Sequence, residues 1–265
     1  MMTPGRRAVG SARLGRAADG AVVKSLLLDI SVMANVMNKL QEVFHEHAAA
    51  SFDKQRYLAA LLGEDFAWDF DMTAGNLTIK TSSKIFCLPV QVLGTESYVS
   101  NTFLWSWANE ASKIPSRLLQ AAYTVRALGE KEGILEFGEP EVPAQVASGD
   151  YLCLAAAGIC SGSAYFRGPY GNGAVFLLIR DPSINMQSDN PVKRITACFP
   201  ELLSAVSLSD ARRAFIAYLN FYGFKLSTEG NAVVGVHSTA GRVSARFDGL
   251  NRLTELAAEM FPTLG

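Results

Sequence analysis

The spacing of hydrophobic and polar positions divides the chain into helical and extended segments. Between residues 35 and 62 the apolar side chains recur with the 3.6-residue period of an amphipathic helix, or of two successive helices, and Gly63 is expected to end this segment. After Gly63 the period changes to two, because alternate residues from Phe66 to Phe70 are aromatic. We therefore predict a β-hairpin whose second arm contains residues 77–79.

Two further extended segments follow, over residues 85–93 and 98–107, with a turn at residues 94–97 between them. Together with the hairpin they predict a four-strand antiparallel meander that buries most of its aromatic side chains on one face. A helix is then expected from Ser112, which can cap it, to Gly129 as its stop. This helix is expected to pack across the meander.

The second half of the chain again alternates between helical and extended segments. The predicted helices cover residues 147–159, 192–205 and 210–222, and a last helix is expected from Asp248. The predicted hairpins pair residues 163–167 with 174–180 and residues 232–237 with 242–247. The segment 174–180 is apolar on both faces, as an interior strand is. The pattern therefore predicts an α+β protein with an antiparallel sheet packed against helices.

Three regions are expected along the chain: a flexible N-terminal tail over residues 1–34, an α+β half over residues 35–143 and a second α+β half over residues 144–265. The first 20 residues are rich in arginine and lack aromatic residues, so they bury too little apolar surface to offset the entropy of ordering. We expect a translated leader there instead of a targeting signal. The two halves are expected to pack into the same globule.

The net charge, the length of the apolar runs and the spacing of the cysteines limit the kinds of partner and the cellular compartment that we expect. The 24 basic and 25 acidic residues give a net charge of -1, so no chain-wide field attracts nucleic acid or anionic lipid. The longest apolar runs span about ten residues, against the ~20 needed to cross a bilayer. The 4 cysteines lack CxxC spacing, which is typical of reduced thiols. We expect a cytoplasmic protein that binds neither nucleic acid nor a membrane and whose partner is another protein.

Two segments resemble a known family. Residues 92–95 are Val-Leu-Gly-Thr, and residues 102–109 are Thr-Phe-Leu-Trp-Ser-Trp-Ala-Asn. They are similar to the LGT and TWLWAWAN-like segments of a family of uncharacterised bacterial proteins, with mild departures at Phe103 and Ser106 that keep the alternation. The resemblance covers residues 38–137 and extends more loosely beyond them. It implies a bacterial α+β protein and supplies no activity.

Five residues are candidates for contact with a ligand or a partner protein: Trp105, Trp107, Asn109, Arg167 and Tyr170. The two tryptophans are expected on one face of a strand, either as core anchors or as the wall of a groove that receives a peptide. Asn109 is expected to hydrogen-bond the turn from strand to helix. Arg167 directly precedes a glycine-rich loop over residues 168–173, and Tyr170 lies within it. The loop lacks the Gly-Lys-Ser/Thr of a phosphate-binding loop, so a turn with positive φ is the expected structure.

The strongest enzymatic hypothesis is a thiol hydrolase that uses Cys160, Asp181 and His237. Cys160 is the central residue of Gly-Ile-Cys-Ser-Gly, which matches the Gly-x-nucleophile-x-Gly elbow, and the three residues follow in the order nucleophile, acid, base. An elbow requires a strand, a sharp turn and a helix. A helix after Gly162 would favour the hydrolase, whereas a hairpin there would favour an interaction module and leave Cys160 as a small buried residue.

The remaining titratable residues predict no cofactor and no metal site. His45 and His47 are two positions apart on a predicted helix, so their side chains diverge by about 200°, and we expect a solvated helix face. Asp65, Asp69 and Asp71 are expected on the wet face of an edge hairpin.

The preferred hypothesis is a non-catalytic bacterial interaction module of an immunity-like or chaperone-like kind. Its support is a nearly neutral charge, only 3 histidines and an aromatic content of 10%. The thiol hydrolase is the alternative.

Overall fold

The structure, a computed structural model, describes residues 19–185 and 190–262, and it describes the side chains of the first helix from Lys39 onward. The helices in this part of the chain are α1 Asp19–Leu62, α2 Gln120–Glu132, α3 Leu135–Gly138, α4 Gly149–Ile159, α5 Pro191–Ala205 and α6 Ala211–Phe221. The strands are β1 Phe66–Asp71, β2 Asn76–Thr81, β3 Ile85–Ser97, β4 Thr102–Trp105, β5 Glu141–Pro143, β6 Ala164–Tyr170, β7 Gly173–Ile179, β8 Lys225–Glu229, β9 Ala232–His237, β10 Gly241–Phe247 and β11 Leu253–Met260. All strand pairs are antiparallel, and the predicted α+β class is confirmed.

Helix α1 contributes to both hydrophobic cores of the protein. Phe44 and Ala48 are buried in the larger core, where α1 packs against α4, α5 and α6. Leu58 and Leu62 are buried in a smaller core beneath β2 and β3. The helix ends where expected, at Gly63, whose φ of +69° is a conformation that glycine adopts without strain. One helix therefore replaces the alternative of two successive helices.

Part of the expected N-terminal tail is helical. Residues 19–34 belong to α1, which begins at Asp19, and residues 1–18 lie outside the described residues. Nucleating a helix is costly, whereas extending an existing one adds a hydrogen bond for each residue fixed. A helix that is already docked at its C-terminal part can therefore extend upstream at little additional cost.

Strand β3 is the centre of a seven-stranded sheet. Its first part pairs with β2, which completes the predicted meander from β1 to β3. Residues 94–97 of β3 pair with β4 on one edge and with β7 on the other. Strands β5 and β6 extend the sheet beyond β4 and β7. The pairing of β3 with β7 joins the two predicted halves of the chain in one sheet.

The turn between β3 and β4 lies four residues later than predicted. Strand β3 continues through Ser97, and Asn101 closes the turn with φ of +56°. Gly94 lies inside β3, at a point where β3 and β4 approach each other closely. A Cβ at this position would lie 2.4 Å from the ring of Phe103 on β4. Only glycine permits so close an approach of the two strands. The glycine that indicated a turn therefore marks close packing.

Helix α2 begins and ends later than predicted. Ser112 ends a short 3-10 helix instead of capping α2, which begins at Gln120. The chain remains helical through Gly129, where a Cβ would lie 2.6 Å from the Cβ of Phe137. The helix ends at Gly133, which has φ of +69°. Tertiary packing, and not the presence of a glycine alone, therefore decides that the helix ends at Gly133 and not at Gly129.

The two cores lie on opposite faces of the central strands. Phe176 and Leu178 of β7 are buried in the larger core, to which all six described helices contribute, whereas Leu177 and Ile179 are buried in the smaller core. The predicted strand with two apolar faces is confirmed. Each such side chain contributes about 1.5–3 kcal/mol by its burial.

A second sheet has the strand order β11-β10-β9-β8. The alternation of β10 is as predicted, with Val243, Ala245 and Phe247 buried. The helix expected from Asp248 is wrong, because residues Leu253–Met260 form β11 and pair with β10. The residues of β11 favour a helix by intrinsic propensity, but the open hydrogen-bonding edge of β10 overrides that preference.

Candidate functional site

Trp105 is positioned as a core anchor. Its ring is fully buried and its Nε1 donates a hydrogen bond to the carbonyl of Glu136 at 2.8 Å. The ring packs edge-to-face on Phe103 and Phe137, with centroid distances of 5.0 and 6.1 Å. A ring with no exposed surface cannot contact a partner protein. The geometry therefore favours Trp105 as a core anchor over Trp105 as the wall of a peptide-binding groove.

Trp107 does not share a strand face with Trp105, contrary to the prediction. It lies in a 3-10 helix, Ser106–Ala108, that follows β4 directly. Its ring is partly buried, the guanidinium carbon of Arg126 lies 4.2 Å from the ring centroid, and its Nε1 has no hydrogen-bond partner within the described residues. Asn109 accepts a hydrogen bond from the Ser112 N–H at 3.2 Å through its side chain, which is the turn-stabilising role expected of it.

Cys160 does not lie on a nucleophile elbow. It is the C-terminal cap of α4, and the chain after Gly162 forms the β6–β7 hairpin, so the local order is helix, turn, strand. The thiol is buried and approaches the carbonyl oxygen of Ala121 at 3.5 Å, and burial raises its pKa. The chain around Cys160 therefore lacks the strand, sharp turn and helix that a nucleophile elbow requires.

The residues expected as acid and base of the hydrolase have partners of their own. Asp181 accepts a hydrogen bond from the Ser183 N–H at 2.8 Å, and hydrogen bonding from Ser183 lowers the pKa of this carboxyl. His237 accepts a hydrogen bond from the Ala240 N–H at 3.2 Å through Nδ1. No hydrogen bond in the described part of the chain connects Cys160, Asp181 and His237 with one another.

Both histidines of α1 are at least partly buried, so the expectation of a solvated helix face is wrong. His45 is 4% exposed, and its Nε2 accepts a hydrogen bond from the Asp210 N–H at 3.3 Å. Burial lowers the pKa of both His45 and His47. The aspartates on and before β1 are exposed, as predicted. Among the residues that the structure describes, no group of three His, Cys, Asp or Glu is arranged to hold a metal ion.

Arg167 is the centre of a polar group that we call the arginine cluster: Arg167, Glu96, Asp150, Tyr98 and Tyr165. Arg167 Nη2 donates to Glu96 Oε2 at 3.2 Å and to the Tyr98 hydroxyl at 2.7 Å, and its Nε lies 3.6 Å from Asp150 Oδ2. The Tyr165 hydroxyl donates to Asp150 Oδ1 at 2.9 Å. Strand β6 places Tyr165 and Arg167 two residues apart on one face, and α4 brings Asp150 to them in its first turn.

Negative charge is in excess within the arginine cluster, because Glu96 and Asp150 share one guanidinium. Burial raises the pKa of Asp150, and the Glu96 carboxylate acts in the same direction, against the lowering influence of Tyr165 and Arg167. Burial, together with the charge of Asp150, raises the pKa of Tyr165 well above its ordinary value, so the phenol stays protonated. The cluster therefore holds charges and hydrogen-bond donors without an activated nucleophile.

A cleft of about 470 Å³, which we call the aromatic cleft, opens beside the arginine cluster. Its walls come from α1, α4, β6 and the end of α5. The lining residues are Phe52, Gln55, Ser148, Asp150, Tyr151, Leu154, Tyr165, Ala205, Val206 and Ser207. The Gln55 side chain accepts a hydrogen bond from the Tyr165 N–H at 2.8 Å and so fixes β6 against α1. A cavity of this size is typical of sites for small ligands, which occupy about 300–1,000 Å³.

Two hairpin turns meet next to the arginine cluster. The Tyr98 N–H, in the turn after β3, donates to the carbonyl of Asn172, in the turn after β6, at 2.8 Å. Tyr98, Val99 and Tyr170 are 47%, 78% and 50% exposed. We call these three exposed residues, at the ends of two adjoining hairpins, the tip surface. Of the predicted partner-binding residues, Tyr170 belongs to this surface. Arg167 lies three positions before Tyr170 on β6, so the two side chains leave opposite faces of the strand. The tryptophans and Asn109 lie elsewhere in the fold.

A second carboxylate group, which we call the aspartate hub, lies between α1, α5 and α6. Asp53 is fully buried and accepts hydrogen bonds at Oδ2 from the hydroxyls of Tyr218 and Tyr222, at 2.6 and 2.5 Å. Arg194 forms an ion pair with it, and Cys198 Sγ lies 3.3 Å from Oδ1. Burial raises the pKa of Asp53, but the hydrogen bonds from Arg194 and the tyrosines outweigh burial, so the pKa is lowered overall.

Asp53 and Asp150 are not among the residues predicted from the sequence. Asp53 had a usable signal, because it lies four residues after Ala49 on the buried stripe of α1, and a charge on such a stripe requires a buried partner. Asp150 had no such signal, since an acidic residue in the first turn of a helix, two positions after the Ser148 cap, is accounted for by the helix dipole alone.

Comparison with known proteins gives a family without an assigned activity. Residues 41–182 match a family of unknown function (DUF6882). Because the match covers more than half of the 265 residues, the chain belongs to this family. The match includes the arginine cluster and most of the aromatic cleft, and it ends before α5. No match was found among curated proteins or among solved structures.

The family match confirms the expectation of an uncharacterised family. No helix within the described ranges is both long enough and apolar enough to span a bilayer.

Proposed function

We propose that this member of the DUF6882 family is a non-catalytic protein-interaction module that binds a partner protein through the tip surface. The observation that carries the proposal is the exposure of Tyr98, Val99 and Tyr170 at the ends of two adjoining hairpins, where Arg167 donates a hydrogen bond to the Tyr98 hydroxyl. Tyrosine and arginine are enriched among the few residues that dominate binding energy at protein interfaces. Single exposed apolar residues are ordinary, whereas a contiguous group marks an interaction site.

The tip surface is also preorganised for binding. The hydrogen bond between the Tyr98 N–H and Asn172 fixes the two turns relative to each other, and Glu96, Asp150 and the Tyr98 hydroxyl hold the Arg167 side chain. Immobilising a flexible side chain on binding costs about 0.5–1.5 kcal/mol. Arg167 has lost most of that freedom before a partner arrives, so more of the contact energy contributes to affinity.

The chemistry of the buried thiols supports binding more than catalysis. A cysteine nucleophile is activated when its surroundings lower its pKa. Burial instead raises the pKa of Cys153 and Cys160, and it raises the pKa of Cys198 to about 12. In a bacterial cell, which the resemblance implies, the corresponding role is immunity-like or chaperone-like.

The test is purification of the tagged chain from its native host, as wild type and as the double variant Val99→Asp with Tyr170→Ala. We expect the wild type to retain one protein in stoichiometric amount and the double variant to retain less than about a tenth of it. The reason is that hot-spot truncations cost about 2 kcal/mol or more each, and about 1.4 kcal/mol corresponds to a factor of ten in affinity.

The matched control places charges at exposed apolar residues elsewhere. Ile85 is 64% exposed at the start of β3, and Leu250 is 67% exposed in the turn after β10. The variants Ile85→Asp and Leu250→Asp should retain the partner at the wild-type level. Recovery of the wild type alone, or an equal loss in these controls, would overturn the proposal.

A further inference from the structure

The walls of the aromatic cleft are suited to a cation with an apolar body. Three aromatic side chains line it, from Phe52, Tyr151 and Tyr165. Tyr151 is held by stacking on Phe44, with ring centroids 3.7 Å apart and an interplanar angle of 9°, and Tyr165 is held by its hydrogen bond to Asp150. A cation within about 6 Å of an aromatic face gains about 0.5–2 kcal/mol from the ring quadrupole.

The charge of the cleft is negative. Asp150 is the one charged residue in its lining, and its nearest cation, Arg167, is divided between Asp150 and Glu96.

We infer that the aromatic cleft binds an alkylammonium ion, with Asp150 as its counter-ion and Phe52, Tyr151 and Tyr165 as its aromatic walls. The carboxylate recognises the positive charge, and the rings recognise the alkyl groups around it. A bound cation also relieves the excess negative charge of the arginine cluster. The inference goes beyond the proposed function and does not depend on it, because the cleft and the tip surface are different surfaces of the chain.

The first test compares two ligands of the same shape by isothermal titration calorimetry on the full chain at low salt. Choline carries a quaternary ammonium group, and 3,3-dimethylbutan-1-ol replaces that group with a neutral tert-butyl group. We expect choline to bind at least ten-fold more tightly than the alcohol. Equal affinities would show an apolar cavity without charge recognition and would overturn the inference, as would no choline binding at concentrations on the order of 50 mM.

Two variants should change the affinity in opposite directions. Asp150→Asn removes the counter-ion and should weaken choline binding at least ten-fold, whereas Arg167→Gln frees Asp150 from its partner and should strengthen binding several-fold. Asp65→Asn removes an exposed acid outside the cleft and should leave the affinity unchanged. Equal urea midpoints for the variants and the wild type would show that the fold is intact.

An anion site would give the reverse result. If Arg167 is the recognition group of the cleft, acetate binds more tightly than choline, and Arg167→Gln abolishes acetate binding. That outcome would overturn the inference. The double variant of the tip surface, Val99→Asp with Tyr170→Ala, should still bind choline, so failure of the proposed interaction and failure of the cation site remain distinguishable.

A third ligand separates the two sources of an alkylammonium group. Nα-acetyl-lysine N-methylamide carries a primary ammonium on a flexible stem, as a lysine side chain of a partner protein does. Tighter binding of this derivative than of choline would assign the cleft to a protein side chain. Tighter binding of choline would assign it to a free quaternary amine.

Discussion

The aspartate hub and the arginine cluster use the same residue types with opposite charge balance. In the hub, one buried carboxylate, Asp53, is matched by one guanidinium and by two phenols. In the cluster, two carboxylates share one guanidinium, and the Asp150 side chain is 54% exposed. The pKa of Asp53 is accordingly lowered by its donors, whereas the pKa of Asp150 is raised by burial and by Glu96.

This difference separates a structural group from the group that we propose for binding. A charge that is removed from water must be balanced by direct partners, because an unpaired buried charge costs several kcal/mol. A charge at the edge of a cleft keeps part of its hydration and can remain in excess. The hub therefore holds α1, α5 and α6 together, while the cluster leaves negative charge available at the mouth of a cavity.

The largest effect is expected from Asp53→Asn. This substitution keeps the shape of the side chain but leaves Arg194, which is 14% exposed, without its counter-ion. Removing one partner of a buried ion pair costs about 3–5 kcal/mol, so the free energy of unfolding measured in urea should fall by about that amount. In the double variant with Arg194→Met, the loss should be smaller than the sum of the single losses, and strict additivity would contradict the pairing.

A smaller effect is expected from Tyr218→Phe. This substitution removes the hydroxyl that donates to Asp53 at 2.6 Å and leaves the ring, which is 1% exposed. A hydrogen bond to a charged group contributes about 1.5–3 kcal/mol, and the urea midpoint should shift accordingly. Tyr123→Phe, at a ring that is 42% exposed, is the control and should change stability by less than about 0.5 kcal/mol.

The contribution of Asp53 to the free energy of unfolding should depend on pH. Because the folded state lowers the pKa of Asp53, its contribution to stability is present above the unfolded pKa of about 3.9 and is lost as the pH falls through the folded value. The stability difference between wild type and Asp53→Asn should therefore shrink as the pH falls from about 6 to about 3. A difference that stays constant over this range would show that Asp53 does not stabilise the fold as a carboxylate.

The smallest effect is expected from Asp150→Asn. The amide oxygen can still accept the hydrogen bond from Tyr165, and Arg167 keeps Glu96 as its partner. An exposed pair contributes about 0–1 kcal/mol, so the urea midpoint should stay close to that of the wild type. A loss comparable to that of Asp53→Asn would place Asp150 in the structural class and remove the contrast between the two groups.

Several elements could be predicted from the sequence because their signals are local. The helices α4, α5 and α6 appear within two residues of their predicted bounds, and the alternation of β10 and the two apolar faces of β7 are as expected. The period of apolar residues depends only on the geometry of the backbone, so a short window is enough to detect it. The glycines at 94 and 129 misled the prediction, since each marks a close contact with a phenylalanine on the next element of the chain, and that contact depends on how the two elements pack.

The sequence by itself determined the type of most elements and the face that each one buries. Tertiary structure decided the pairing of β3 with β7, the strand conformation of β11 and the meeting of Glu96, Asp150 and Arg167. These features depend on which surfaces come together across long stretches of chain, and that choice follows from the total burial and hydrogen bonding of the folded state. A local pattern shows that a face is apolar or that a residue is charged, but only the fold shows what lies opposite.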